Sequence, residues 1–173
     1  RLPVLCLPGL TRNGRDFHEL ASHLSVERRV LALDFRGRGQ SDHDSNWHRY
    51  RLDVYVEDVI AALDALQVSR VIIIGTSLGG LVGMFFGAQC PERLAGLVLN
   101  DIGPELDARG MNRIASSVGK SGPVDKWEQA EAAAKEAHAA VMPDFTAADW
   151  AIFARQVYRE RDDGLIARDM DPQ

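Results

Sequence analysis

VIIIGTSLGG, residues 71–80, drives four β-branched residues straight into Gly75-Thr76-Ser77-Leu78-Gly79. An unbroken apolar run of this length predicts a strand buried on both faces. The segment after it, 78–90, is small and apolar almost all round, which predicts a helix packed against a sheet. A strand that becomes a helix within five residues needs a strained turn, and the strain lifts the side chain at its tip above the sheet. Glycine at 75 and 79 lets neighbouring backbone approach where a Cβ would clash. The helix beginning at Leu78 aims unpaired N–H groups and its positive dipole end at the same point. The Ser77 hydroxyl is thereby set up as a nucleophile, with groups already in place for an oxyanion. The competing use of such a turn is phosphate binding, which requires G-x-G-x-x-G or G-K-[ST]; this turn has neither.

Working outward, strand-length apolar runs lie at 2–7 (LPVLCL), 29–34 (RVLALD), 71–74 (VIII) and 94–99 (LAGLVL). They are continuous rather than alternating, as in a parallel sheet covered on both faces. Between them, segment 50–67 aligns Leu52, Val56, Val59, Ile60, Leu63 and Leu66 in one stripe, with Asp53, Glu57 and Asp64 facing away. Strand and helix alternating in this order predict a doubly wound α/β architecture. The composition changes near residue 104, after which only helical signals are evident and no strand run. Asp125 with Glu128 resembles a capping box ahead of WEQAEAAAKEAHAAV, with the helix stopping near Met142 before Pro143. Thr146 with Asp149 marks a second start, followed by Trp150, Phe153 and Val157 at helical spacing. The expected organisation is an α/β part over 1–103 and a helical region over 104–173.

The 173 residues are 46% apolar, enough for one globular core. A net charge of −5 with scattered basic residues argues against nucleic acid or an anionic membrane as partner. No run approaches the roughly 20 apolar residues of a membrane span, and no leader pattern is evident, so a cytoplasmic protein is expected. Cys6 and Cys90 are too few and too far apart for a metal site or a disulfide scaffold, and read as reduced thiols in or near the core. No cofactor or metal is implied.

Three further stretches, taken with the serine turn, resemble the α/β-hydrolases, specifically the branch with a small helical cap. LPGLTRNGRDF at 7–17 is similar to the loop that follows that family's third strand, with Pro8 where histidine is commoner; DFRGRGQSD at 34–42 is similar to its D-x-R-G-x-G-x-S loop; PERLAGLVLNDIGP at 91–104 resembles its sixth strand and the exit into the cap. The resemblance covers residues 2–103. It implies that the backbone N–H groups of Leu10 and Leu78 form an oxyanion hole. It also implies a hairpin before residue 1 and at least two strands after the cap, so that a missing segment or a second chain would complete the sheet.

A serine nucleophile needs a base, usually histidine oriented by a carboxylate, and the family's order is Ser, then acid, then His. Of His18, His23, His43, His48 and His138, only His138 follows Ser77, and it sits mid-helix. The base is therefore expected outside this chain. Asp101, after the next strand, reads either as the catalytic acid or as a residue capping the NDIGP turn. Arg36 and Arg38 bind an acidic substrate or pair with nearby carboxylates. Trp127, Phe145 and Trp150 line an apolar pocket under the cap or simply pack. The expected function is serine-dependent hydrolysis of an ester, lactone or activated carbon–carbon bond in a small carbonyl substrate. Serine at 77 argues against epoxide hydrolases and haloalkane dehalogenases, which resemblance would supply with Asp. The alternatives are a non-catalytic ligand-binding relative and an acyltransferase or perhydrolase on the same fold.

Overall fold

The computed structural model describes residues 1–103, 105 and 122–171. The first four strands are β1 (Val4–Leu7), β2 (Val30–Ala32), β3 (Val71–Thr76) and β4 (Leu94–Asn100), and they form one sheet in the order β2-β1-β3-β4. Every pairing in it is parallel, with Val4 opposite Val30 and Ile72, and Ile73 opposite Leu97. The four expected apolar runs thus become the four strands, and β1 is buried along its whole length.

Helices cover both faces. On one, Leu5, Leu7, Val71 and Ile73 pack against Val56, Val59 and Leu63 of α2 (Leu52–Ala65) and Val82 and Phe86 of α3 (Leu78–Gln89). On the other, Val4 and Cys6 meet Phe17, with Leu24 of α1 (His18–Leu24) against the same cluster. Asp53, Glu57 and Asp64 are exposed as the stripe of α2 requires, but Leu66 lies past the helix end and is also exposed. Phe85 of α3 and Val98 and Leu99 of β4 are exposed beside the sheet's outer strand.

Residues 122–171 build a second core. Helices α4 (Trp127–His138) and α5 (Ala147–Val157) bury Ala130, Ala134, Trp150, Phe153 and Val157 together. The Thr146–Asp149 capping box is present: Thr146 Oγ1 accepts from the Asp149 N–H at 3.3 Å, and Asp149 Oδ2 accepts from the Thr146 N–H at 2.8 Å. At α4 the start lies one residue later than Asp125 and Glu128 suggest. Gln129 Oε1 accepts from the Asp125 and Lys126 N–H groups, because an amide reaches back as well as a carboxylate. The helix also ends at His138, short of Met142.

The expectation of helices alone after residue 104 is corrected by an antiparallel hairpin. Strands β5 (Tyr158–Glu160) and β6 (Ile166–Arg168) pair with Tyr158 opposite Arg168. Three residues each, half of them charged, leave no apolar run to read. Their inward residues Tyr158 and Ile166 complete the α4–α5 core. Of the expected helical region, residues 104, 106–121 and 172–173 lie outside the described residues.

Candidate active site

The turn between β3 and α3 is as tight as its glycines require. Ser77 adopts φ 50°, ψ −114°, a conformation that non-glycine residues rarely hold. A Cβ on Gly75 would sit 2.4 Å from the Gly79 carbonyl, and one on Gly79 would sit 2.1 Å from the Leu7 carbonyl oxygen. Both neighbours are backbone and cannot yield, so the α3 start is pressed onto β1 and β3. The Ser77 carbonyl accepts from Gly80 and Leu81, and its N–H donates to Asn100 O at 3.0 Å, which ties the elbow to the end of β4. The N–H of Leu78 opens the helix with no acceptor among the described residues.

The loop after β1 lies against this elbow. A Cβ on Gly9 would be 3.8 Å from Ser77 Cβ. The Gly9 carbonyl accepts from Arg12 N–H at 3.1 Å, and the Leu10 carbonyl accepts from Arg38 Nε at 2.5 Å. Both carbonyls are committed, while the Leu10 N–H has no acceptor among the described residues. Leu10 and Leu78 line one cavity of about 230 Å³, together with Arg38, Tyr50, Tyr55 and Asp171. The structure therefore brings Ser77, Leu10 and Leu78 together.

Asp34 holds the neighbouring loop. Its carboxylate accepts from Gly14 N–H at 2.6 Å and Gln40 N–H at 2.9 Å, and a Cβ on Gly39 would fall 2.2 Å from it. Arg36 pairs with Asp58 (2.5 and 2.7 Å) and with Asp44 (2.5 Å). Its guanidinium pKa is raised chiefly by the hydrogen bond to Asp58. Arg36 is thus a structural cation, and Arg38 is not paired in this way.

Asp101 sits just past β4, exposed, with φ 53°, a left-handed conformation that aspartate tolerates better than most residues. Trp127 is half-buried at the start of α4, with the Arg155 guanidinium 4.2 Å from its ring centroid, and does not line the 230 Å³ cavity. Trp150 packs edge-on to Phe153 in the helical core, and the exposed Phe145 lies against both rings. His138 packs edge-on to Phe153 at 5.2 Å, its pKa pushed down by burial and by the charges of Arg12 and Arg168. His48 lies against Trp47, and His43 Nδ1 is 3.5 Å from Asp171. No histidine hydrogen-bonds Ser77 Oγ among the described residues. Tyr50, Tyr55, Met170 and Asp171 reach the cavity without having been singled out in sequence; only Tyr55, beside Val56 in the α2 stripe, left a signal.

The sequence matches the alpha/beta hydrolase fold over residues 3–151. The chain belongs to the α/β-hydrolase family. Within this family it is similar to 3-hydroxybutyrate-oligomer hydrolase of Cupriavidus necator, 38% identical over 116 residues, which is 67% of this chain and 40% of the relative. Lipase LipV of Mycobacterium tuberculosis is 34% identical over 134 residues, 78% of this chain and 49% of that one. A crystallised α/β hydrolase from Novosphingobium aromaticivorans superposes with a TM-score of 0.95 at 42% identity, covering 99% of this chain and 60% of its own. The chain thus spans less than half the length of these two curated relatives.

Proposed function

We propose that the protein containing this chain is a serine hydrolase acting on an ester, lactone or activated carbon–carbon bond of a small carbonyl compound. The observation that carries the reading is the strained Ser77 set against the Gly9–Leu10 loop, with the Leu10 and Leu78 N–H groups finding no acceptor among the described residues. Ser77 Oγ attacks the carbonyl carbon and gives its proton to a base. The carbonyl π electrons move to oxygen, and the two amides stabilise that charge without reorganising. Collapse expels the leaving group, which takes the proton back, and water repeats the sequence on the acyl-enzyme. Hydrolase names among the relatives support this class of reaction.

The base is a histidine from outside these 173 residues. In support, the described histidines make no hydrogen bond to Ser77, and the outer strand β4 exposes apolar Val98 and Leu99 where further sheet could pair. Asp101 is the candidate acid, one residue past the strand beside the elbow. The α4–α5 unit with its hairpin is the cap. The test is fluorophosphonate labelling of the full-length protein, read by intact mass. One adduct is expected, absent in Ser77→Ala; an unlabelled native protein, or a label that persists in Ser77→Ala, overturns the reading.

A further inference from the structure

Arg38 is 5% exposed, and no carboxylate lies within 4.0 Å of it among the described residues. Its neighbour in the same loop, Arg36, takes the nearby acids Asp44 and Asp58. Arg38 instead donates to three neutral oxygens: Nε to Leu10 O at 2.5 Å, and Nη1 to Arg36 O at 2.9 Å and Tyr55 Oη at 3.0 Å. The third nitrogen, Nη2, donates to nothing among the described residues. Nor is it sealed in: among the described residues, the buried side-chain atoms that make no hydrogen bond are Arg168 Nε and Asp169 Oδ1, and Nη2 is not one of them. Nη2 therefore meets open space. The guanidinium carbon lies 5.9 Å from the Tyr50 ring centroid and 5.4 Å from that of Tyr55, and both rings wall the cavity shared by Leu10 and Leu78.

A buried guanidinium that keeps one donor nitrogen open and makes no ion pair among the described residues is set up to take an anion. Asp171 lines the same cavity, where its carboxylate accepts from Tyr50 Oη at 2.5 Å and lies 3.5 Å from His43 Nδ1. We propose that Arg38 Nη2 binds a carboxylate of the substrate, so that the enzyme prefers esters or lactones whose acyl part ends in an acid group. This rests on the serine-hydrolase reading and narrows it. A space of about 230 Å³ lined by Leu10, Leu78, Arg38 and both tyrosines suits a short acid, and the Arg38 bond to Leu10 O keeps carboxylate and reacting carbonyl close together.

The experiment compares two p-nitrophenyl esters of similar size on the full-length protein, the anionic succinate monoester and the neutral pentanoate. A charge-assisted hydrogen bond predicts a kcat/KM ratio of roughly 10 to 100 in favour of the succinate ester. Arg38→Gln keeps an N–H donor but no charge and is expected to bring the ratio near one; Arg38→Lys keeps part of the preference despite a lower rate. Since Arg38 also holds the Leu10 carbonyl, an equal fall for both esters in Arg38→Gln would make it only a positioning residue and overturn the proposal. A wild-type ratio near one would do the same. A binding arm stands apart from catalysis: glutarate should raise the melting temperature of Ser77→Ala by a few degrees and leave Ser77→Ala/Arg38→Gln unmoved. A glutarate shift in a protein inert to fluorophosphonate keeps the anion site and discards the serine reading. No shift, in a protein that does label, discards the anion site alone.

Discussion

Ser77 bears a conflict between stability and chemistry that a pair of substitutions can separate. Its φ of 50° with ψ −114° is a conformation that costs a non-glycine residue about 1–3 kcal/mol. Ser77→Ala removes Oγ but leaves the Cβ and hence the strain. Ser77→Gly removes both, at a cost of about 0.5–1 kcal/mol from the freer unfolded chain. The difference favours the glycine variant by about 1 kcal/mol, or roughly 2–4 °C in melting temperature for a domain of this size. Calorimetry of the two variants of the full-length protein in one buffer measures it directly, and neither should turn over substrate. A glycine variant that melts at or below the alanine variant would refute the claim that the elbow stores strain at residue 77.

Gly79→Ala would drive a Cβ to within 2.1 Å of the Leu7 carbonyl oxygen; a loss of about 3 kcal/mol is expected, the upper end for overpacking, read as a lowered urea midpoint. Gly96→Ala is its control, since its Cβ would meet Ile72 at an ordinary 3.9 Å, and should move the midpoint little. Burial pushes the Cys6 thiol up to about 11, so iodoacetamide at pH 8 should label half-buried Cys90 and spare Cys6 until the protein unfolds. The raised value also sets a sign: the stability it represents is intact below the unfolded thiol's pKa and is lost as pH climbs towards 11, by up to about 1.4 kcal/mol per unit. Cys6→Ala should flatten that alkaline slope in denaturation curves. His138 has the opposite sense, because its lowered pKa means the neutral form is the one packed against Phe153. Stability should therefore fall as pH drops from the unfolded histidine's value through the folded one, and His138→Phe should remove that acid loss.

The sheet and elbow were readable because buried parallel strands leave continuous apolar runs, and the serine turn leaves glycines that nothing else can replace. The β5–β6 hairpin was not readable by that logic. YRE and IAR are too short to show a period, although Asp162-Asp163-Gly164 between them, with Gly164 at φ 78°, is a turn signal. Arg36 and Arg38 were indistinguishable in sequence, two residues apart in one loop. What separates them is tertiary: Asp58 arrives from α2 and Asp44 from the loop beyond, both on the Arg36 side. The same holds for Tyr50 and Asp171, 121 positions apart, which become neighbours only when the hairpin folds back on the 34–42 loop.

That fold-back is made with main chain and side chains together. The Gly39 N–H donates to Asp169 O at 3.2 Å, and the Asp171 N–H donates to Gly37 O at 2.6 Å. Amide-to-carbonyl links do not depend on side-chain identity, but Asn13 and Arg15 on the Asp169 carboxylate, Tyr50 on Asp171 and Arg12 over Phe153 do. A foreign helix pair would seat in the same place only if it kept both the 169–171 tail and an aromatic ring where Phe153 meets Arg12. The helical unit is in this sense an exchangeable part with a short list of obligatory contacts, while the elbow beneath it stays fixed by glycines whose neighbours are backbone.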